Sequence, residues 1–365
     1  AICQNFRQMG RGSPVDAPGS CVHFYISIII ELKPAVLIWI IATNVHGAYP
    51  GKMETHDIVI IGGGQAALSA GYYLRRAGLD FIILDNQATA GGAWSHTWPS
   101  LRLFSPALYS SLPGILFSTS KTDVYPHRND VIAYLERYET RYQLPIYRPH
   151  HVKTVLPDTQ HNCLKVSDGK YSCLAKTVIS ATGNWSHPVV PELPGAKAFL
   201  GEMCHSAFYK GVEHYRGKNV LVVGGGNSGA QIFAELDEVT TAVWVTREAP
   251  QFLPDDVDGR VLFERATARI TGQATDQPVG GIGDIVMVPS VKAARDRGVL
   301  QAKPMFTHFT PTGVVWQDDT EQAFDAVIWC TGFQPELSHL AALSILEDDG
   351  KVLVQDGQSI KEPRL

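Results

Sequence analysis

The stretch DIVIIGGGQAA, from Asp57 to Ala67, and the stretch NVLVVGGGNSGA, from Asn219 to Ala230, decide the fold of this chain. In each, an apolar run typical of a buried β-strand leads into three glycines, and a helical pattern follows. Backbone N–H groups at the start of such a helix lack partners within the helix, so they can bind a pyrophosphate. The two stretches therefore predict an α/β fold with two Rossmann-like dinucleotide-binding domains.

The residue at the end of the next strand differs in charge between the two sites. Asp85 follows Gly62 by 85 − 62 = 23 residues, and Arg247 follows Gly224 by 247 − 224 = 23 residues. A carboxylate at this place accepts hydrogen bonds from a ribose diol, whereas a guanidinium suits the additional ribose phosphate of NADP. The pair predicts FAD at the first site and NADPH at the second. The alternative interpretation of Arg247 is an ordinary solvated arginine.

The composition excludes several classes of function. The chain of 365 residues is long enough for two domains, and its net charge of −5 comes without a basic run of the kind that follows nucleic acid backbones. Its six cysteines are scattered with no CxxC pair, which argues against a redox dithiol, a zinc site and a secreted disulfide framework. We therefore expect a cytoplasmic protein that binds neither nucleic acid nor a metal ion.

Residues 1–52 differ from the rest of the chain. They carry no nucleotide signature and end just before Met53, which we expect to be the natural start. The apolar run 24–42 is interrupted by Glu31 and Lys33, and a charge at mid-bilayer costs about 2.5–3.5 kcal/mol. We interpret this leader first as an untranslated or wrongly started stretch, second as a peripheral anchor and last as a spanning helix.

Two local patterns add elements to the first domain. Asn129 or Asp130 is expected to cap a helix whose apolar positions recur at helical spacing. Residues 162–176 predict a β-hairpin that turns at Asp168 and Gly169. Both elements are structural.

Two strand exits with small residues indicate how the domains connect. ATG at residues 181–183 and CTG at residues 330–332 each follow an apolar run, where small side chains let another backbone pass closely. We interpret them as two passes between an FAD domain and an inserted NADPH domain. The predicted boundaries place residues 53–190 and 325–365 in the FAD-binding domain and residues 191–324 in the NADPH-binding domain.

A segment before the second glycine stretch indicates the chemistry. FLGEMCHSAFYK contains Phe199, Gly201, His205 and Tyr209, followed by Lys210. It has the signature FxGxxxHxxxY plus a basic residue, and in this the chain resembles the class B flavin-containing monooxygenases. The resemblance implies that the motif holds the domains in register and positions the nicotinamide, so we assign no catalytic acid or base. Considered without the family, His205 is a histidine that hydrogen-bonds the backbone at a domain junction.

The resemblance extends from Asp57 to the C terminus, and residues 91–113 and 125–145 are most similar to the branch found beside bacterial arsenic-resistance genes. Members of the family continue past a segment like residues 354–365 into a glycine-rich turn, so the end at Leu365 predicts an incomplete FAD domain. The resemblance implies contacts to FAD by Gly62, Gly64, Gln65, Ala66, Asp85, Gly92, Trp94, Arg102, the backbone of Val152 and Thr182, and contacts to NADPH by Gly224, Gly226, Asn227, Ser228 and Arg247.

The activity that the resemblance implies is oxygen transfer. NADPH reduces the flavin, O₂ adds to it, and the hydroperoxide passes one oxygen atom to a soft nitrogen, sulfur or trivalent arsenic centre of a small molecule. A homodimer is a candidate assembly. Three alternatives stay open. A Baeyer–Villiger oxygenase has a motif that ends in tryptophan where this chain has Tyr209, a disulfide reductase needs a dithiol that the cysteines do not offer, and a truncated nucleotide-binding protein would have no activity.

Overall fold

The computed structural model describes residues 53–118, 125–263, 284–355 and 357–365. The predictions for the leader, residues 1–52, therefore lie outside the described residues. Two separate sheets, each with parallel strands at its centre, confirm the predicted α/β fold with two Rossmann-like units. Among the described residues, no helix combines the length and the apolar character needed to cross a bilayer.

The first sheet and its helices come from the N-terminal half of the described chain. Their elements are β1 (Thr55–Ile61), α1 (Gln65–Arg76), β2 (Phe81–Leu84), α2 (Arg128–Tyr142), β3 (Ile146–Tyr147), β4 (Thr154–Asp158), β5 (Cys163–Ser167) and β6 (Ser172–Ser180). The strand order is β3-β2-β1-β6-β5-β4, with β3, β2, β1 and β6 parallel and β5 and β4 antiparallel. All four residues of β2 are buried, as a parallel sheet covered on both faces requires.

The second sheet has five parallel strands in the order β10-β9-β8-β14-β7. Its elements are β7 (Glu202–His205), α3 (Val212–Tyr215), β8 (Asn219–Val223), α4 (Asn227–Leu236), β9 (Thr241–Thr246), α5 (Pro289–Asp296), β10 (Ala302–Pro304) and β14 (Ala326–Trp329). Two small antiparallel sheets are formed by β11 (His308–Phe309), β12 (Gly313–Val315) and β13 (Glu321–Ala323), and by β15 (Val354–Gln355) and β16 (Gln358–Ser359).

Strand β14 corrects the predicted domain boundary. The sequence prediction assigns residues 325–365 to the FAD-binding domain, but β14 pairs with β8 and β7 in the second sheet. The boundary at residue 325 is wrong for this strand, because its four buried residues AVIW complete the interior of that sheet. The chain returns to the first sheet after Gly332, where Leu340 and Ile345 pack in one core with Val59.

The start of α2 also differs from the prediction. His127 is the N-cap, and its Nδ1 accepts a hydrogen bond from the backbone N–H of Asn129 at 3.3 Å. Asp130 accepts from the backbone N–H of His127 at 3.0 Å, so it is the reciprocal partner in a capping box and not the cap. Histidine is not among the preferred cap residues, so no sequence pattern marks His127 as the cap. The predicted hairpin does turn at Asp168 and Gly169.

The two sheets and their helices are joined at a junction formed by Trp98, Ser100, Tyr209 and Glu235. Trp98 follows β2 in the chain, yet it is buried in the core of the second sheet. Its ring meets that of Tyr209 edge-on with the centroids 6.1 Å apart. Ser100 Oγ donates a hydrogen bond to Glu235 Oε2 on α4 at 2.5 Å. The loop after β2 therefore connects the first sheet to the helix of the second.

Candidate functional site

The first glycine turn, Gly62–Gly64, lies at the carboxyl end of β1. Gly62 has φ +102°, and a Cβ there would lie 2.5 Å from the Ala181 carbonyl oxygen, so only glycine fits without strain. A Cβ on Gly63 would lie 2.3 Å from Asp85 Oδ2. A Cβ on Gly64, in contrast, would meet nothing within 4 Å. The first two glycines allow close packing, and the third faces open space.

The N-terminus of α1 is open to an anion. Gly64 is its N-cap and supplies no side-chain bond, and the first turn contains no acidic residue. The first backbone N–H groups of a helix have no intrahelical partner, so they favour a phosphate. Ala66 adds only a methyl group in this turn and leaves room for it.

Gln65 and Trp94 are brought together in the structure. The Trp94 indole Nε1 donates a hydrogen bond to Gln65 Oε1 at 3.0 Å. A Cβ on Gly92 would lie 2.9 Å from the Gly64 Cα, so the loop after β2 passes directly over the glycine turn. Arg102 lies further along this loop, where its Nη1 donates to the Tyr125 carbonyl oxygen at 3.0 Å.

Asp85 directly follows β2, lies beside the first glycine turn and is 2% exposed. Its Oδ2 accepts a hydrogen bond from Arg148 Nε at 2.6 Å, and Arg148 also binds both carboxylate oxygens of Glu139 at 2.9 and 2.7 Å. Although burial disfavours the charge, the hydrogen bonds of Glu139 and Asp85 raise the pKa of Arg148 above its ordinary value. Sequence reasoning missed Arg148 because 63 residues separate it from Asp85.

Val152 and Thr182 complete the surroundings of the first turn. The Val152 side chain packs in the core beneath β1 and β2, and its backbone N–H and C=O make no hydrogen bond with the residues that the structure describes. Thr182 Oγ1 donates to the Glu336 carbonyl oxygen at 2.6 Å, and its Cα would lie 3.1 Å from a Cβ on Gly62. We refer to the region between the first glycine turn, the start of α1, Asp85 and these two residues as the first cleft.

The second glycine turn, Gly224–Gly226, repeats the first at the end of β8. Gly224 has φ +140°, and a Cβ there would lie 2.2 Å from the Cys330 carbonyl oxygen. The strand exit at residues 330–332 thus packs against the second glycine turn, as residues 181–183 pack against the first. Gly226 is the N-cap of α4, again without a side-chain cap bond and without an acidic residue in the first turn. Together with Arg247 this forms the second cleft.

The residues after the second turn have different tasks. Asn227 Nδ2 donates to the Asp284 carbonyl oxygen and its Oδ1 accepts from the Val286 N–H, both at 2.9 Å. This amide therefore ties α4 to a loop, just as Gln65 ties α1 to Trp94. Ser228 is half-buried and makes no hydrogen bond within the described residues, so its hydroxyl is available to a ligand.

Arg247 follows β9 and is exposed. It makes no hydrogen bond or ion pair with any residue in the described parts of the chain. Its guanidinium can therefore bind a phosphate without breaking a hydrogen bond to any of these described residues. Asp85 and Arg247 occupy equivalent places in the two sheets, as their equal spacing from the glycines predicts.

The motif residues Phe199, His205 and Tyr209 are all buried. His205 Nδ1 accepts from the Ala207 N–H at 3.1 Å, while no described residue bonds its Nε2. Burial lowers the pKa of His205 below its ordinary value, which favours the neutral imidazole. This environment agrees with a structural histidine at a junction.

An aromatic run that the sequence prediction missed lies where the strand exits of both sheets meet. His96 stacks with Trp185 at 6.4 Å, Trp185 stacks with Phe333 at 5.2 Å, and Phe333 meets His205 edge-on at 4.8 Å between ring centroids. Trp185 follows β6 and Phe333 follows β14. The FxGxxxHxxxY motif marks His205, but no local pattern connects it with His96, Trp185 and Phe333, because the four residues come from four separate segments.

Comparisons with known proteins agree with this geometry. The profile of the pyridine nucleotide-disulphide oxidoreductase family matches residues 59–359. A solved flavin-containing monooxygenase from Stenotrophomonas maltophilia is 48% identical with a TM-score of 0.78, over 86% of this chain and 89% of that one. The oxidoreductase CzcO of Bacillus subtilis is 29% identical over 313 residues, 83% of this chain and 89% of that protein.

A plant relative extends the likeness to a further monooxygenase. The indole-3-pyruvate monooxygenase YUCCA8 of Oryza sativa is 26% identical over 342 residues, which are 82% of this chain and 80% of that protein. These matches confirm the predicted resemblance to the flavin-containing monooxygenases and the predicted classes of cofactor, a flavin and a pyridine nucleotide, whereas the similarity to the arsenic-resistance branch stays a prediction. The chain therefore belongs to the pyridine nucleotide-disulphide oxidoreductase family, and to its flavin-containing monooxygenases.

Proposed function

We propose that this protein is an FAD-dependent, NADPH-consuming monooxygenase that transfers one oxygen atom from O₂ to a soft nitrogen, sulfur or trivalent arsenic centre of a small molecule. The observation that carries the proposal is the pair of open helix N-termini, one beside a buried carboxylate and one beside an exposed arginine. The 48% identical flavin-containing monooxygenase supports oxygen transfer. Trivalent arsenic is supported by the sequence resemblance alone.

The preference for NADPH over NADH rests on Arg247. An exposed guanidinium that has no partner among the described residues can form charge-assisted hydrogen bonds with the 2′-phosphate without first breaking bonds to them. Such a bond contributes about 1.5–3 kcal/mol. The neighbouring Glu248 is also exposed, so both charged side chains of this pair face solvent. We also place the protein in the cytoplasm, which the free thiols of the four described cysteines support.

In this reaction the residues of the chain would bind the two cofactors, orient them and shield them from water. FAD, when bound, supplies the reaction with O₂, using electrons from NADPH. The N-termini of α1 and α4 would bind the two pyrophosphates, and the Gln65–Trp94 hydrogen bond holds the loop that covers the first turn. The aromatic run of His96, Trp185, Phe333 and His205 lines the strand exits with ring faces, which would help to shield a bound flavin and nicotinamide from water.

No side chain is assigned as general acid or base. The buried His205 accepts a hydrogen bond from the Ala207 N–H and so holds the short turn that follows β7, which is a positioning task. This fits a reaction in which the cofactors carry the chemistry and the protein supplies placement.

The test is turnover by the full chain loaded with FAD. NADPH oxidation and peroxide release are followed with and without an amine, a thioether and a trivalent arsenical. A substrate raises NADPH oxidation and lowers peroxide release, and its oxygenated product appears in equal amount. Peroxide release that no compound of the three classes lowers would contradict oxygen transfer to soft centres. A chain that binds no FAD would contradict the proposal altogether.

A further inference from the structure

Arg148 occupies a buried place beside the ribose end of the first cleft. Its guanidinium contacts two carboxylates, one directly after β2 and one on α2. Nε donates to Asp85 at 2.6 Å, and the two terminal nitrogens donate to Glu139. The side chains of Arg148, Asp85 and Glu139 are 14%, 3% and 13% exposed. One cation between two carboxylates leaves the cluster with one net negative charge, which favours hydrogen-bond donors from a ligand.

The two carboxylate oxygens of Asp85 have different hydrogen-bond partners. Oδ2 accepts from Arg148 and lies against Gly63, where a Cβ would be only 2.3 Å away, so this side of the carboxylate is fixed. Oδ1 accepts a long bond of 3.4 Å from the Gln87 N–H. A carboxylate oxygen has two acceptor positions, so Oδ1 has capacity for a ribose hydroxyl.

We propose that Arg148 is a positioning residue for the adenosine ribose of FAD: it holds Oδ2 of Asp85 so that Oδ1 receives the ribose hydroxyls, and Glu139 orients Arg148 for this task. The inference rests on the proposed function, since it takes FAD as the ligand of the first cleft. Arg148 touches Asp85 and acts on the ribose through it. A fixed carboxylate avoids the ordering cost that a mobile one would add to binding.

The experiment compares two ligands that differ only at the ribose. Flavin-free full chain is titrated with FAD and with an analogue whose adenosine ribose lacks the 2′ and 3′ hydroxyls, and flavin fluorescence reports only on the flavin site. We expect the wild type to prefer FAD by about tenfold or more, which is the loss of one hydrogen bond to a charged group. Arg148→Met reduces this preference to less than about twofold. The matched control Arg141→Lys, at an exposed position of α2, leaves it unchanged.

A second variant covers the case in which Arg148→Met does not fold. Arg148→Lys keeps the buried charge but replaces the fork with one ammonium, so it lowers the preference to an intermediate value. If the folded variant binds both ligands more weakly and keeps the wild-type preference, Arg148 acts through general packing and the inference is wrong. A wild type that binds both ligands equally would overturn the inference and leave FAD binding intact. A wild type that binds neither would overturn the proposed function as well.

Discussion

The two clefts share a backbone and differ in how their charged residue is held. Gly62 and Gly224 have positive φ, and each packs against the carbonyl oxygen of a strand exit, Ala181 or Cys330. Asp85, however, is 2% exposed and fixed by Arg148, whereas Arg247 is exposed and has no partner among the described residues. The same turn therefore lies beside a buried, ion-paired charge in one cleft and beside an exposed charge in the other.

The difference teaches how one fold can serve a resident and an exchanging ligand. A recognition group that is already fixed loses little entropy on binding, which favours tight and lasting occupancy. A solvated arginine binds phosphate through charge and releases it readily, because water and salt compete for the same charge. We expect FAD to stay in the first cleft through many turnovers while NADPH enters and leaves the second.

The largest expected effect tests whether the two clefts are held together. Trp98→Ala removes a buried ring from the junction and should lower the free energy of unfolding by about 3–5 kcal/mol, because a cavity forms in the core of the second sheet. Chemical denaturation measures it. Phe208→Ala, whose ring is 61% exposed, is the control and should change stability little. Equal effects of the two substitutions would show that Trp98 does not join the halves.

The next-largest expected effect tests whether the two clefts bind their cofactors independently of each other. Gly224→Ala places a Cβ 2.2 Å from the Cys330 carbonyl oxygen at φ +140°, which stores about 1–3 kcal/mol of backbone strain or displaces the turn. NADPH binding should be lost while the FAD content is kept. Calorimetric titration and the flavin absorbance check both. Gly298→Ala is the matched control, since its φ of +78° is also positive but a Cβ would meet nothing within 4 Å. Loss of FAD from Gly224→Ala would mean that the clefts are not independent.

A smaller effect sharpens the role of charge in the second cleft. Arg247→Ala should raise the Kd for NADPH by about tenfold to a hundredfold and change that for NADH by less than about twofold, because only NADPH has the 2′-phosphate. Lys303→Ala removes an exposed cation from the neighbouring strand β10 and serves as the control for general charge. If both cofactors weaken equally in Arg247→Ala, the arginine is a solvated surface residue.

The smallest effect concerns pH and the junction. Burial raises the pKa of Glu235 above its ordinary value of 4.5, so its contribution to stability is present at low pH and is lost as the pH rises through that raised value. Glu235→Gln keeps an acceptor for Ser100 and removes the buried charge. We expect its melting temperature to exceed that of the wild type at neutral pH, and the difference to vanish below about pH 4. A constant difference at every pH would contradict this.

The sequence predicted the parts of the site that lie close together in the chain. Glycine turns, the first turns of α1 and α4, and the charged residue 23 positions after each glycine are local patterns with a direct physical meaning. It assigned β14 to the wrong sheet, because an apolar strand carries no label for its partners. It missed Arg148 for the same reason, since nothing near residue 148 points to Asp85.

The amino-acid sequence alone determined that the protein has two nucleotide-binding glycine turns, each followed at the end of the next strand by a residue of opposite charge. Backbone geometry fixes the spacing of glycine, helix and strand end within about thirty residues. Only the tertiary structure decided how each charge is held. Arg148, Glu139 and the aromatic run of His96, Trp185, Phe333 and His205 meet through packing between distant segments. Such contacts depend on how the sheets and loops close, and a linear pattern does not record them.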